Sequence, residues 1–234
     1  MPRDMKPMKL FEKGHRSKRI IGLDLLRISL AILTFLFHSY IHFQCRYGIM
    51  NNFISVGAIA MTAFFMLSGY SLQISNSQAD IWSIEELKRF YIKRLISILP
   101  LYLFIHLVRM FICNSEPIIN RILMFPIQSL CIQSCFSSLF NHVHNGGSWF
   151  ISCLLICYFI FPLVHIIFSR LSKKRTIYLL LLLVFVVLWS PLVQMKMNTN
   201  SLYDNPFFRF VEFSIGMLLY KINRQNIDNH FFKK

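Results

Sequence analysis

The chain has 234 residues, 55% of them hydrophobic and 15% charged, with a mean hydropathy of +0.51, a balance that excludes an ordinary soluble domain and reads as a polytopic membrane protein. The formal net charge of +15 does not mark a nucleic-acid binder, because the basic residues recur between apolar runs instead of forming one stripe interleaved with exposed aromatics. Six cysteines show no CxxC or metal-ligand spacing and mostly sit in or beside apolar runs, where cysteine behaves as a small hydrophobe; Cys131 with Cys135 is the one pairing left open.

A hydrocarbon core needs roughly 20 apolar residues of helix, and six runs are read as spans: about 20–43, 53–74, 92–113, 149–169, 176–195 and 207–221. Residues 1–19 are basic, and no small-residue cleavage site closes the run that follows, so the start reads as an uncleaved signal anchor with its N-terminus in the cytoplasm. That choice also puts KRFYIKR, RLSKKR and the residues after Leu219 inside, and leaves only Arg46, Arg121 and Lys196 clearly in outside loops, as the positive-inside rule requires. The expected fold is an all-α transmembrane bundle of about six helices. It divides into a basic cytoplasmic segment 1–19, a membrane domain 20–221 and a basic cytoplasmic tail 222–234.

The first span, GLDLLRISLAILTFLFHSY from Gly22 to Tyr40, carries three polar residues in an apolar setting. Arg27 and His38 are eleven residues apart, about three turns, which puts both on one face roughly 16 Å apart along the axis. Asp24 precedes Arg27 by three residues and shares that face. Charged groups at such depths usually face a bundle interior or a water-filled cavity. Asp24 and Arg27 can partly neutralise each other, whereas His38 titrates near neutral pH and can give or take a proton. The plain alternative is a structural ion pair and a packing histidine.

In the second span FFMLSGY offers Ser68 and Gly69 as a small pair suited to close helix packing. Pro100 and Pro162 fall inside the third and fourth spans and are expected to kink them, and His106 and His165 read as membrane-core histidines. The connection from Asn114 to Ser148 is apolar but broken by Pro126 and rich in Ser and Gln. Counting it as a span would put RLSKKR outside, so it reads as an outer-surface or re-entrant element. His142 and His144 lack further ligands for a metal, and none is expected. Trp149 and Tyr158 read as interface-anchoring and packing aromatics. Arg209 and Glu212, three apart near the start of the last span, read either as a helix-surface pair or as part of an acceptor route.

Taken in order, RIIGLDLLRISLAILTFLFH, GAIAMTAFFMLSGYSL, RFYIKRLISILPLY, SWFISCLLICYFIFPL and NPFFRFVEFSIGMLLYK resemble the acyltransferase 3 family of integral-membrane acyltransferases, from Arg19 to Lys221. The resemblance implies acetyl transfer from acetyl-CoA, as a substrate and with no cofactor, to a hydroxyl of an extracytoplasmic sugar or glycan. It matches Arg27 and His38 to the family's functional Arg-x10-His pair. Ser68 and Gly69 align with its FFxLSG element, and Lys93 and Arg94, with Arg89 nearby, with the basic end that receives CoA phosphates. Where the family often has a further arginine before the third-span proline, this chain has Ser97. Full members usually carry about ten membrane helices, which implies a shortened or truncated member or one that needs a partner membrane protein. The implied location is a bacterial inner membrane.

Two other classes stand beside this reading. One is an accessory, non-catalytic member of the same family. The other is a transporter with its buried charges along a translocation route, for which the sequence shows no inverted repeat.

Overall fold

The computed structural model describes residues 20–77, 83–112, 117–136, 138, 143, 145–197 and 202–231, with only the backbone at 197 and from 226 onward. The basic segment 1–19, Cys113, His142 and His144 lie outside these residues. All regular structure among the described residues is helical: α1 (Ile21–His42), α2 (Asn51–Ser55), α3 (Ile59–Ser75), α4 (Ile84–Ile112), α5 (Ile118–Ser129), α6 (Ser148–Ser169), α7 (Lys173–Met197) and α8 (Pro206–Phe231).

Local chemistry sets several of these boundaries. Ser83 and Glu86 form a capping box at the start of α4, the Ser83 amide donating to Glu86 Oε2 (2.8 Å) and the Glu86 amide to Ser83 Oγ (3.2 Å), so two otherwise orphan amides are satisfied. Asn205 caps α8 by accepting from the amides of Phe207 (2.9 Å) and Phe208 (3.1 Å). Pro206 fills the first helical position, where its missing N–H costs nothing. The far end of α6 is held by another helix: Lys221 Nζ donates to the carbonyls of Phe168, Ser169 (3.1 Å) and Leu171 (2.7 Å).

Among the described residues, helices α1, α4, α6 and α7 are each long and apolar enough to cross a membrane, and the segment 48–55 with α3, bent by 56°, is a fifth if the bent pair is taken as one span. Six were expected. The difference lies in α8, which is long enough but interrupts its apolar residues with Arg209, Glu212, Lys221 and Arg224. It also continues without a break to Phe231, past the boundary expected at 221. Pro100, Pro126, Pro162 and Pro191 all sit inside continuous helices.

The most polar of the long helices is the central one. α8 packs most extensively against α3 and also against α7 and α6, and Phe213, Met217 and Leu218 are fully enclosed. Phe65, Phe161 and Phe213 form the centre of the core, with Phe90 stacked on Phe161 at 5.5 Å. By contrast, α1, α4 and α7 turn Ile28, Phe35, Leu101, Phe104, Leu181 and Leu188 outward. Large apolar side chains on the outside, with Arg209 and Glu212 enclosed, suit hydrocarbon as the solvent, where backbone groups must be satisfied within each helix.

The α3–α8 crossing is a backbone-to-backbone contact made possible by two glycines. A Cβ built on Gly69 would stand 2.0 Å from the Phe213 carbonyl oxygen, and one on Gly216 would stand 1.8 Å from that of Met66. The small-residue packing expected at Gly69 is present, and Gly216 is its counterpart on the other helix.

The described part of the connection after α4 holds one short α-helix, as expected of a non-spanning element. At 12 residues, α5 rises about 18 Å, too short to cross. It lies along α4, where the Tyr102 hydroxyl donates to the Gln128 carbonyl (2.6 Å) and His106 stacks on Phe125. The chain then turns at Cys131, which has φ +56°, and Gln133 Nε2 donates to the Ser148 carbonyl at the start of α6 (3.0 Å). The five described cysteines are free.

Candidate functional site

Helix α1 carries the first group of polar residues. Arg27 Nη1 donates to Asp24 Oδ1 at 2.8 Å, and Nη2 donates to Ser71 Oγ of α3 at 2.5 Å. The expected pair therefore forms, but its guanidinium also bridges two helices. Its environment is open: the Arg27 and Asp24 side chains are 44% and 28% exposed. His38, three turns further on, is exposed and stacked on His42, ring centroids 5.5 Å apart and nearly parallel at 8°. At that separation along α1, Arg27 and His38 do not touch. Only Leu30 and Ser39 of this helix are buried.

A second group gathers beside Arg27 from three further helices. Ser68 lies three residues before Ser71 on α3, on the same face. Its hydroxyl lies near that of Tyr158 on α6, and both Arg94 of α4 and Arg27 lie within electrostatic reach of that phenol. The Arg94 guanidinium stacks over Phe90 (5.6 Å) and Tyr158 (5.7 Å), as arginine does on aromatic faces. Arg94 Nε is buried and has no hydrogen-bond partner among the described residues. Arg27, Ser68, Ser71, Arg94 and Tyr158 thus converge toward one end of the bundle. The other two basic residues matched to the donor end, Arg89 and Lys93, are exposed on α4, and Gly69 belongs to the helix crossing.

Arg209 and Glu212 form a third, closed group. Arg209 Nη1 reaches Glu212 Oε1 (2.9 Å) and Oε2 (2.7 Å), Arg209 Nε donates to the Tyr203 carbonyl (2.8 Å), and Thr62 Oγ1 donates to Glu212 Oε1 (2.8 Å). The pair is 4% and 1% exposed. Tyr203 (5.0 Å), Trp149 (5.3 Å) and Phe65 (5.7 Å) pack their rings around the guanidinium. A charge pair taken out of water needs this degree of satisfaction to persist, and the arrangement favours the structural reading over an acceptor route. Trp149 is an internal wall of this cage, not an exposed interface anchor. The other expected core histidine, His165, accordingly sits buried, 3.0 Å from Gln73 Oε1.

Sequence reasoning missed three members of these groups. His42 was marked by its i+4 spacing from His38, and Ser71 by its i+3 spacing from Ser68. Tyr158 had no local signal, because its partners come from α3 and α4.

Two cavities flank α4. One of about 430 Å³ is lined by Ser97, Tyr102, Asn145 and Ser148 among others. The other, about 520 Å³, reaches Arg94 and Tyr158 and continues along Leu95 and Leu155.

The family model for an acyltransferase domain, acyltransferase 3, matches residues 20–233. Neither a curated protein nor a solved structure matches the chain.

Proposed function

The chain belongs to the acyltransferase 3 family, and from that premise we propose that it is an acetyl-CoA-dependent O-acetyltransferase acting on a hydroxyl of an extracytoplasmic sugar or glycan. That it is a membrane acyltransferase follows from the family and the apolar helices; donor, acceptor and residue roles are our reading. The observation that carries it is the convergence of Arg27, Ser68, Ser71, Arg94 and Tyr158 from four helices. It supplies cations and hydroxyls at the end of the bundle that also holds Arg89, Lys93 and the basic connection from α6 to α7.

By the positive-inside rule that end faces the cytoplasm, and the N-terminus with it. A bacterial inner membrane is the location this reading assigns. Arg94 and Arg27 hold the donor, with Lys93 and Arg89 meeting its phosphates at the surface, because guanidinium forks onto phosphate or an oxyanion and ammonium adds a point charge. His38, toward the outer end of α1, takes the proton of the acceptor hydroxyl as its oxygen bonds to the thioester carbonyl. The C–S bond then breaks, the acetyl group stays on the acceptor oxygen, and the thiolate leaves and is protonated to free CoA. The reaction needs no redox partner.

Membrane vesicles containing the chain should move labelled acetyl from acetyl-CoA to outward-facing glycan, and absence of transfer by a well-inserted chain would count against the proposal. Arg27→Lys separates positioning from simple charge. Lysine keeps the charge but cannot reach Asp24 and Ser71 together, so transfer should fall by roughly 10- to 100-fold with a raised KM for acetyl-CoA. Full activity of Arg27→Lys would return Arg27 to a structural pair with Asp24.

The open polar face of α1 supports a second reading. A partner membrane protein could close over Arg27 and His38, leaving this chain inactive alone. Transfer that requires co-expression of a second membrane protein would select it.

A further inference from the structure

The outer end of α1 carries two imidazoles on one face. His38 and His42 are four residues apart, both are exposed, and both belong to regular helix, of which His42 is the last residue. Their side chains therefore project from successive turns of the same side. The helix is also held at that end. The amides of Phe43 (3.1 Å) and Cys45 (3.3 Å) both donate to the Ser39 carbonyl, and the Ser39 and Tyr47 hydroxyls pair at 2.5 Å. The backbone thus fixes the spacing of the two rings, and little ordering is left to be lost when a ligand binds them.

That spacing fits a metal ion. Two imidazole nitrogens bound to one tetrahedral zinc at about 2.1 Å put the ring centroids roughly 5 Å apart, and the rings here are 5.5 Å apart. They lie nearly parallel, at 8°, so each must turn about χ2 to aim a nitrogen at a shared ion. Rotation about that bond is soft in histidine, and both rings are exposed.

The electrostatic setting also suits a cation. Carbonyls of the last turn leave the C-terminal end of a helix partly negative. The next cation along the chain, Arg46, lies over the Tyr40 ring at 5.6 Å. Tyr40 is two residues from each histidine and so projects from the other side of α1. Among the described residues no third His, Cys, Asp or Glu joins the pair, so water fills the remaining positions of the ion and binding is reversible.

We propose that His38 and His42 form a two-histidine site for zinc or another late first-row divalent metal, and that an ion held there switches the enzyme off. The inference rests on the reading of His38 as the base and adds its regulation. A nitrogen lone pair given to the metal is withdrawn from the proton of the acceptor hydroxyl. The ion enters from the outer compartment as an inhibitor and takes no part in acetyl transfer.

The test is calorimetric titration of zinc into the full chain in lipid nanodiscs, with protein-free nanodiscs subtracted, beside acetyl transfer in vesicles over the same zinc range. The parent should bind one zinc more than His38→Ala or His42→Ala. Its transfer should fall by at least about tenfold at saturation, recover when EDTA is added, and be untouched by magnesium, which prefers oxygen ligands. His42→Ala and the polar His42→Gln keep the base and break the chelate, so each should transfer in zinc as it does without it.

Equal zinc binding by the parent and the His42 variants overturns the site. Inhibition with the same zinc dependence in parent and His42→Ala overturns it too, since the ion would then act elsewhere. Zinc held by the pair with transfer undiminished overturns the switch and takes the base away from His38, while acetyl transfer stands. A well-inserted parent that transfers no acetyl, with zinc or without, removes the proposed function and the switch with it, whatever the titration shows.

Discussion

Replacing His38 by alanine is expected to lower acetyl transfer in vesicles by roughly 10²- to 10⁴-fold at matched expression, the range by which a positioned general base accelerates proton transfer. A hydroxyl attacks a thioester poorly unless its proton is taken in the transition state. His38 is exposed and reachable on α1, whereas His106 and His165 are buried at 1% and 2% exposure and engaged within the core. His42→Ala is the informative companion. It removes the ring that His38 stacks on but leaves the base, so transfer should stay within about tenfold of the parent. Unchanged transfer in His38→Ala would sink its assignment as base. A loss of equal size in both variants would point to the stacked pair acting as a unit.

Substituting either glycine of the α3–α8 crossing is expected to cost the fold more than any other single change considered for this protein. In Gly69→Val or Gly216→Val the new atoms meet backbone carbonyls at 2.0 and 1.8 Å, which no rotamer change relieves. The helices would have to separate by roughly 1 Å or more to restore ordinary contact. Overpacking typically costs about 1–3 kcal/mol where side chains can adjust. Here two backbones must move and the Phe213–Met217 core with them, so the loss should exceed about 3 kcal/mol. Thermal melting followed by size-exclusion chromatography should show each valine variant unfolding well below the parent or failing to accumulate. Gly22→Ala, whose Cβ would meet nothing within 4 Å, should melt with the parent. A Gly69→Val chain as stable as the parent would show that the crossing is not the contact described. The effect reaches the site because α3 also carries Ser68 and Ser71.

Most of the helices were legible from the sequence because the forces that set them are local. Long apolar runs specify approximate positions and lengths without reference to the rest of the chain, whereas the start of α4 at Ile84, eight residues before the 92 expected from apolarity, is set by the polar Ser83–Glu86 capping box. The Asp24–Arg27 pair was legible for the same reason, since three residues is less than one turn of helix. The short connection at α5 was likewise readable as non-spanning, from Pro126 and its polar serines and glutamines.

Other features depend on partners far along the chain. Apolarity alone made 207–221 a sixth span among equals, yet α8 is the centre of the bundle. Its Arg209 and Glu212 are enclosed by Thr62 from α3, the Tyr203 carbonyl and the Trp149 ring. Hydrophobic content cannot predict this in a membrane protein, because lipid favours apolar side chains on the outside and leaves polar ones to find each other within.

By itself, then, the sequence determined an all-helical membrane chain, its family and the polar residues on α1, because helix length, capping and motif order are written in neighbouring residues. Only the tertiary structure decided that Arg27 bonds Ser71, that Arg94 turns inward onto Tyr158 while Lys93 and Arg89 stay exposed, and that a cavity opens beside them. Those relations come from how helices distant in sequence cross, and that is governed by close packing at Gly69 and Gly216, which no periodicity in a single helix encodes.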